Sequence, residues 1–253
     1  MKKIYTKHCA LLAATLALLL YPGLANAYSN ADVEAVLAGA SCPKGDLSGA
    51  DLSGIDLSGR NFDGADFTEA RLVGTKLDNA KLAGAAFRQA ILTRASLRNA
   101  TLDNADLSYA RANKADFTNA SLSHVTLERT QLNGAQLLNA KLTYAKGQEA
   151  ALDYANADYA DFSFANLPYS WFSGASLQNA SFLSSNLYSA HFVQAKLLEA
   201  DLRSSKLGKA NLQRSDLSKA RLDKATMEKA DLRGAKLEYT EFGTAFKDDA
   251  LME

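Results

Sequence analysis

His124 and His191 are the only imidazoles beyond residue 27, and Cys42 is the only thiol there. Serine and aspartate are abundant, so a serine–histidine–aspartate trio is the first chemistry to test. It fails, because the two histidines lie far apart and the serines and aspartates recur at fixed intervals instead of converging. Metal-ligand spacing is absent too, with one thiol and two distant imidazoles. The sequence therefore predicts no enzyme, no metal site and no cofactor. Stacking and contact chemistry is better supplied. Tyr154, Tyr159, Phe164 and Tyr169 follow one another at five-residue intervals, Tyr144 precedes them, and Trp171, the only tryptophan, stands beside them. Leu183, Tyr188, Val193 and Leu198 recur at the same interval, in a slot that elsewhere holds mostly Ser, Asp, Thr, Arg or Gln. Large apolar side chains grouped on a surface mark contacts, with Tyr and Trp as favoured anchors. The same rings stack on sugars.

The elements that must position these residues follow from one period. From position 47 to 242, every residue whose number ends in 2 or 7 is Leu, Phe or Met, except Ala112, Gly147 and Ala157. Two residues earlier stands a small residue, usually Ala. A period of five matches neither a helix nor a flat strand. Residues two apart share a face of an extended chain, so keeping Ala50 and Leu52 inward in every unit requires a bend once per unit. The bend slot holds Gly49, Gly54, Gly59, Gly64, Asn79, Asn99 and Asn104, residues that tolerate positive φ. Right-angled bends close one turn in four units, giving about ten coils of an all-β solenoid and a rod roughly 50 Å long.

This A-(D/N/K)-(L/F)-x-x pattern resembles the pentapeptide-repeat family over roughly four-fifths of the chain. The resemblance implies a right-handed quadrilateral β-helix with short helical caps. It also implies a homodimer through the C-terminal end as an expectation. Some cytoplasmic members mimic DNA and shield type II topoisomerase, which makes that role a remote alternative here.

Compartment and charge argue against that role. Lys2, Lys3 and Lys7, an apolar run from Ala10 to Leu20, and Ala25-Asn26-Ala27 read as a signal peptide over 1–27. The expected mature chain starts at Tyr28, without a stable membrane anchor, in the periplasm, an equivalent lumen or outside the cell. Removing three lysines leaves 25 basic against 28 acidic residues, a net charge of −3. A nucleic-acid binder is usually strongly basic and a DNA mimic strongly acidic, so neither role fits a charge of −3 and no nucleic-acid partner is expected.

Four segments result: 1–27 signal peptide, 28–41 helical cap, 42–242 β-helix and 243–253 C-terminal cap. Ser29 and Asp32 suit the start of a helix over 30–38, with Val33, Val36 and Leu37 as its apolar face and Gly39 as its stop. Phe246 and Leu251 are expected to face inward from a short closing helix, because Lys247 falls where the register wants an apolar residue. Cys42 falls on the inward register as a buried thiol. Lys209, Arg214, Lys219, Lys224 and Lys229 are expected to ring one coil as a solvated surface. For function, a protein-interaction scaffold comes first, with an unidentified protein partner on the coils carrying Tyr154 to Leu198. A carbohydrate or envelope-surface module stacking on Tyr169 and Trp171 is the alternative. A purely structural reading competes, in which Tyr144 or Tyr154 folds in to fill the thin core at Gly147 and Ala157.

Overall fold

The computed structural model describes residues 31–252. The signal peptide over 1–27, the mature start at Tyr28 and the capping role of Ser29 lie outside the described residues. From Asp46 onward, each residue at a number ending in 1 or 6 forms a parallel bridge with the residue twenty further along, from Asp46–Asp66 to Asp231–Leu251. Four five-residue units therefore make one coil, and coils stack in register along a quadrilateral rod.

Each unit's composition follows from its hydrogen bonds. Leu52 donates its N–H to the Arg71 carbonyl (2.8 Å) and Arg71 donates back to Ala50 (2.8 Å), which ties neighbouring coils together. The corner is a β-turn: Ala50 N–H closes onto the Leu47 carbonyl (3.2 Å), with φ of 66° at Gly49. Asp or Asn recurs at the start of a unit because its carboxylate or amide oxygen accepts the backbone N–H two residues on, as Asp51 does from Ser53 (3.0 Å). The corner slot is more tolerant than its Gly and Asn suggest. Arg94, Tyr109, Tyr154 and Phe164 all sit there with φ between 58° and 61°. A left-handed side-chain residue costs about 1–2 kcal/mol, and the bonds between coils offset that cost.

The core is a stack of inward Leu, Phe and Ala, with Cys42 fully buried among them. At Gly147 and Ala157 the structure corrects one expectation: Tyr144 and Tyr154 remain 46% and 76% exposed and do not fill the gap. Instead the Gly147 backbone lies close on the preceding coil, so that a Cβ there would come 2.7 Å from the Leu127 carbonyl. The next coils bring bulk, with Phe162 stacked on Phe182 and Phe172 on Phe192, both at 4.8 Å.

Helix α1, Ala31–Leu37, covers the first coil with Val33, Ala35 and Val36 buried. It ends in a Schellman motif: Gly39, at φ 103°, donates to Val36, and Ala40 donates to Ala35. Arg60 reaches across from the coil to give a hydrogen bond to the Val36 carbonyl (2.7 Å). Asp32 uses a carboxylate oxygen to accept the Asp46 N–H (3.0 Å), which binds the helix to the coil edge.

The far end differs from expectation. No closing helix forms over 243–252; the repeat runs on to Leu251, which bridges Asp231. Phe246 and Leu251 occupy outward slots and are 64% and 48% exposed. Lys247 does take the inward register. Because no coil lies above it among the described residues, its ammonium rests over the Phe242 ring (4.6 Å) instead of being entombed.

Candidate binding edge

A residue's neighbour on the rod surface is twenty positions away, whereas residues five apart stand on successive edges. This arithmetic separates the nine candidate residues. Phe164 and Leu183 share one edge with Tyr144, Tyr169 and Tyr188 the next, Tyr154 and Val193 a third, and Tyr159 and Leu198 the fourth. The sequence cluster is therefore a collar around the rod and not one apolar face. Leu183, Tyr188, Val193 and Leu198 are half-buried; the five aromatic residues Tyr154, Tyr159, Phe164, Tyr169 and Trp171 are exposed.

Three of the four edges carry their apolar groups as self-stacking ladders or as isolated side chains. His124, Tyr144 and Phe164 form a continuous ring stack, with centroids 4.9 and 5.0 Å apart. Tyr154 packs against Gly174, where a Cβ would meet the edge of its ring at 2.7 Å. Tyr159 continues a column of amides in which Asn139 donates to Asn119 and Asn119 to Asn99.

The Tyr169 edge differs. Tyr169 meets Tyr188 edge-on (5.9 Å, 81°), and the Lys209 ammonium sits over the other side of this pair, 5.4 Å from the Tyr188 ring. Gly208 gives Tyr188 room, since a Cβ there would come within 3.2 Å of the ring. On the adjoining face Trp171 stacks on His191, one coil further on, at 4.1 Å with the rings within 5° of parallel. A cleft of about 310 Å³ opens between them, lined by Gln148, Glu149, Tyr169, Trp171 and His191. Tyr169 and Trp171 are 43% and 42% exposed.

The cleft's polar wall is ordered. Arg129 donates to both Glu149 oxygens (3.0 and 3.4 Å), and Gln148 donates to one of them (3.1 Å). The hydrogen bonds from Arg129, and then from Gln148, hold the Glu149 carboxyl below the usual range. It therefore presents as a charge-compensated acceptor. The backbone is special at the same place. Among the described residues, the turns Gly147–Ala150 and Leu167–Ser170 are the two that lack the closing hydrogen bond of the other corners. They are stacked in adjacent coils on this edge. Ser170 Oγ makes a long bond to the Gly147 carbonyl (3.4 Å) in its place.

Gln148, Glu149 and Ala151 were absent from the candidates read from sequence. The signal for them is a count of about twenty back from Tyr169 and Trp171. The basic run is a ring as expected: Lys219 pairs with Glu199 (3.1 Å) and Lys229 with Glu228 (3.5 Å). A hollow of about 390 Å³ at Gln213, Arg214, Arg233 and Gly234 lies in this region, where Asp231 takes up the Arg233 guanidinium (2.6 Å). No group of three or more His, Cys, Asp or Glu able to hold a metal occurs among the described residues.

Comparison with known proteins gives two family matches, the pentapeptide repeat region over residues 61–137 and the eight-copy pentapeptide repeats over 148–182, 171–207 and 200–238. Among curated proteins nothing matches. Among solved structures, similarity is found to HetL, a pentapeptide repeat protein involved in heterocyst differentiation regulation from the cyanobacterium Nostoc sp. strain PCC 7120. It is 28% identical, over 86% of this chain and 94% of that one, with a TM-score of 0.41. A pentapeptide repeat protein from the Arabidopsis thaliana thylakoid lumen is 38% identical over 40% of this chain and 66% of its own, with a TM-score of 0.35. Full-length QnrB1, a plasmid-mediated fluoroquinolone resistance protein, is 20% identical over 74% of this chain and 90% of its own, with a TM-score of 0.27.

Proposed function

The chain belongs to the pentapeptide-repeat family of right-handed quadrilateral β-helices, and on that premise we propose that it is a non-catalytic, exported scaffold holding its partner on the side of the rod. The observation that carries this reading is the Tyr169 edge. There, exposed aromatic rings are braced by Tyr188 and His191 and border a cleft with an ordered polar wall. Elsewhere the collar either stacks on itself or stands isolated, so the candidate binding face narrows to Tyr169, Tyr188 and Trp171. Export rests on the basic and apolar start of the sequence, and it sets the compartment in which the partner is met. A DNA-mimic role is disfavoured by the −3 balance and by corner columns that mix Lys and Arg with Asp and Glu. Self-association through the last coil is a separate proposal, supported by partly exposed Leu237 and Phe242; sedimentation over a concentration series tests it.

The test of the side-binding reading uses residues 28–253 as bait on a cell-envelope fraction. A Tyr169/Tyr188/Trp171→Ser variant should lose capture, while a Tyr159/Leu198→Ser variant on another edge keeps it. Equal capture by all three proteins would remove the edge from the account.

A further inference from the structure

The outward column that contains Trp171 runs Gln131, Ala151, Trp171, His191, each bridged to the next. His191 covers one face of the Trp171 ring at 4.1 Å, nearly parallel. On the opposite side the next coil supplies only the Ala151 methyl group. The ladder therefore has a missing step. From Trp171 to Gln131 is two coil spacings, roughly 9.5 Å. A flat ring needs roughly 3.5–4.0 Å to each neighbour, so the step has room for one ring. Gln148 and Glu149 belong to the same coil as Ala151, and with Tyr169, Trp171 and His191 they line the cleft beside this step.

We propose that this step binds one pyranose of a neutral glycan, with its C–H face stacked on Trp171 and its hydroxyls donating to the Glu149 carboxylate and exchanging hydrogen bonds with Gln148. The inference rests on the reading of the Tyr169 edge as the binding site and names its ligand class. The charge arrangement selects neutrality. Arg129 already compensates Glu149, so a cation would have to displace a guanidinium held by two hydrogen bonds. A uronate or phosphate would bring its charge against the ionised carboxylate. A neutral sugar uses the carboxylate as it stands, since hydroxyl donors to an ionised acceptor make the stronger class of hydrogen bond. The C–H face of a pyranose with equatorial hydroxyls matches a flat indole, and β-linked chains of such units present that face repeatedly. His191 is a positioning residue here, fixing the plane of Trp171.

The single tryptophan reports the event directly. Mature protein is titrated with chitohexaose and with cellohexaose, following Trp171 emission, beside Ala151→Gln, Glu149→Gln and a hexameric oligogalacturonate. Gln131 shows that this column accepts glutamine, so Ala151→Gln fills the step without changing the platform; circular dichroism confirms its fold. Saturable change with at least one neutral hexasaccharide is expected. Affinity should fall tenfold or more in Ala151→Gln and severalfold in Glu149→Gln, with no response to the uronate. No saturable change with either neutral sugar up to about 10 mM, or equal binding by Ala151→Gln, overturns the proposal. If envelope capture still depends on Trp171 while both sugars fail, the side-binding reading survives and the glycan does not. If capture is also independent of Trp171, both fall.

Discussion

The amide column at the Tyr159 edge and the Trp171 column are built on the same repeat, yet they end in opposite states. Asn99, Asn119 and Asn139 satisfy one another across three coils, at 3.2 and 3.1 Å, and need no partner. The Trp171 column is interrupted by Ala151, bordered by two corners without their closing hydrogen bonds, and flanked by a cleft. Along the amide column the inward slots and corners obey the repeat, whereas beside Trp171 the inward slot at Gly147 and two corners depart from it. The remaining difference lies in the outward slots, which a solenoid can vary without disturbing its core. A ladder left unfinished is thus a better sign of a binding site than the number of aromatic residues. The His124–Tyr144–Phe164 stack makes the same point, being rich in rings but closed on itself.

Trp171 and its neighbours stand on a common floor of inward rings. Phe172→Ala removes a ring stacked on Phe192 and edge-on to Phe162 and should cost about 3–5 kcal/mol. Denaturant unfolding checks the loss, and the Trp171 site should fail with it. Gly147→Ala should cost about 1–3 kcal/mol, as overpacking does, because its methyl group would press on the Leu127 backbone at 2.7 Å. An increase in melting temperature would show that Gly147 is not packed tightly against Leu127. Asn119→Ala should cost about 0.5–1.5 kcal/mol with no change in partner capture. Trp171→Ala should show the converse, with little loss of stability and complete loss of capture.

The smallest effect concerns acid. Arg233 hydrogen bonds, opposed by slight desolvation and aided by Gln213, hold the Asp231 carboxyl well below the ordinary range. A carboxyl depressed in the folded state stabilises above its unfolded pKa, and that contribution disappears as pH falls through the folded value. Asp231→Asn should therefore be slightly less stable than wild type at pH 7, with the gap narrowing in strong acid. Denaturant midpoints at the two pH values check the sign.

Most of the fold was legible because the repeat constrains it twice, through the inward Leu and Phe and through the corner Gly and Asn. The pairing of Trp171 with His191 was legible too, since a step of twenty follows from four units per coil. The candidate site was read less well. Tyr154, Tyr159, Phe164 and Tyr169 look like a cluster at a spacing of five, but that spacing moves a residue to another edge. Glu149 and Ala151 carry no signal of their own, since one is a charged corner residue among many and the other matters by being small. The C-terminal misreading has a similar origin. Lys247 breaks the inward pattern in sequence, but at an open end its stem fits the register and its charge stays over Phe242.

Residue-resolved amide exchange reads the two open corners themselves. Thr130 and Ala190 are the equivalent corner residues one coil before and one coil after, and their turns are closed at 3.1 and 3.0 Å. In the free protein the Ala150 and Ser170 amides should exchange faster than those of Thr130 and Ala190. Adding the neutral hexasaccharide that binds, or the captured partner, should slow exchange at 147–151 and 167–171 and leave the Asn99–Asn139 edge unchanged. Uniform exchange at all four corners, or protection confined to another edge, would contradict the account.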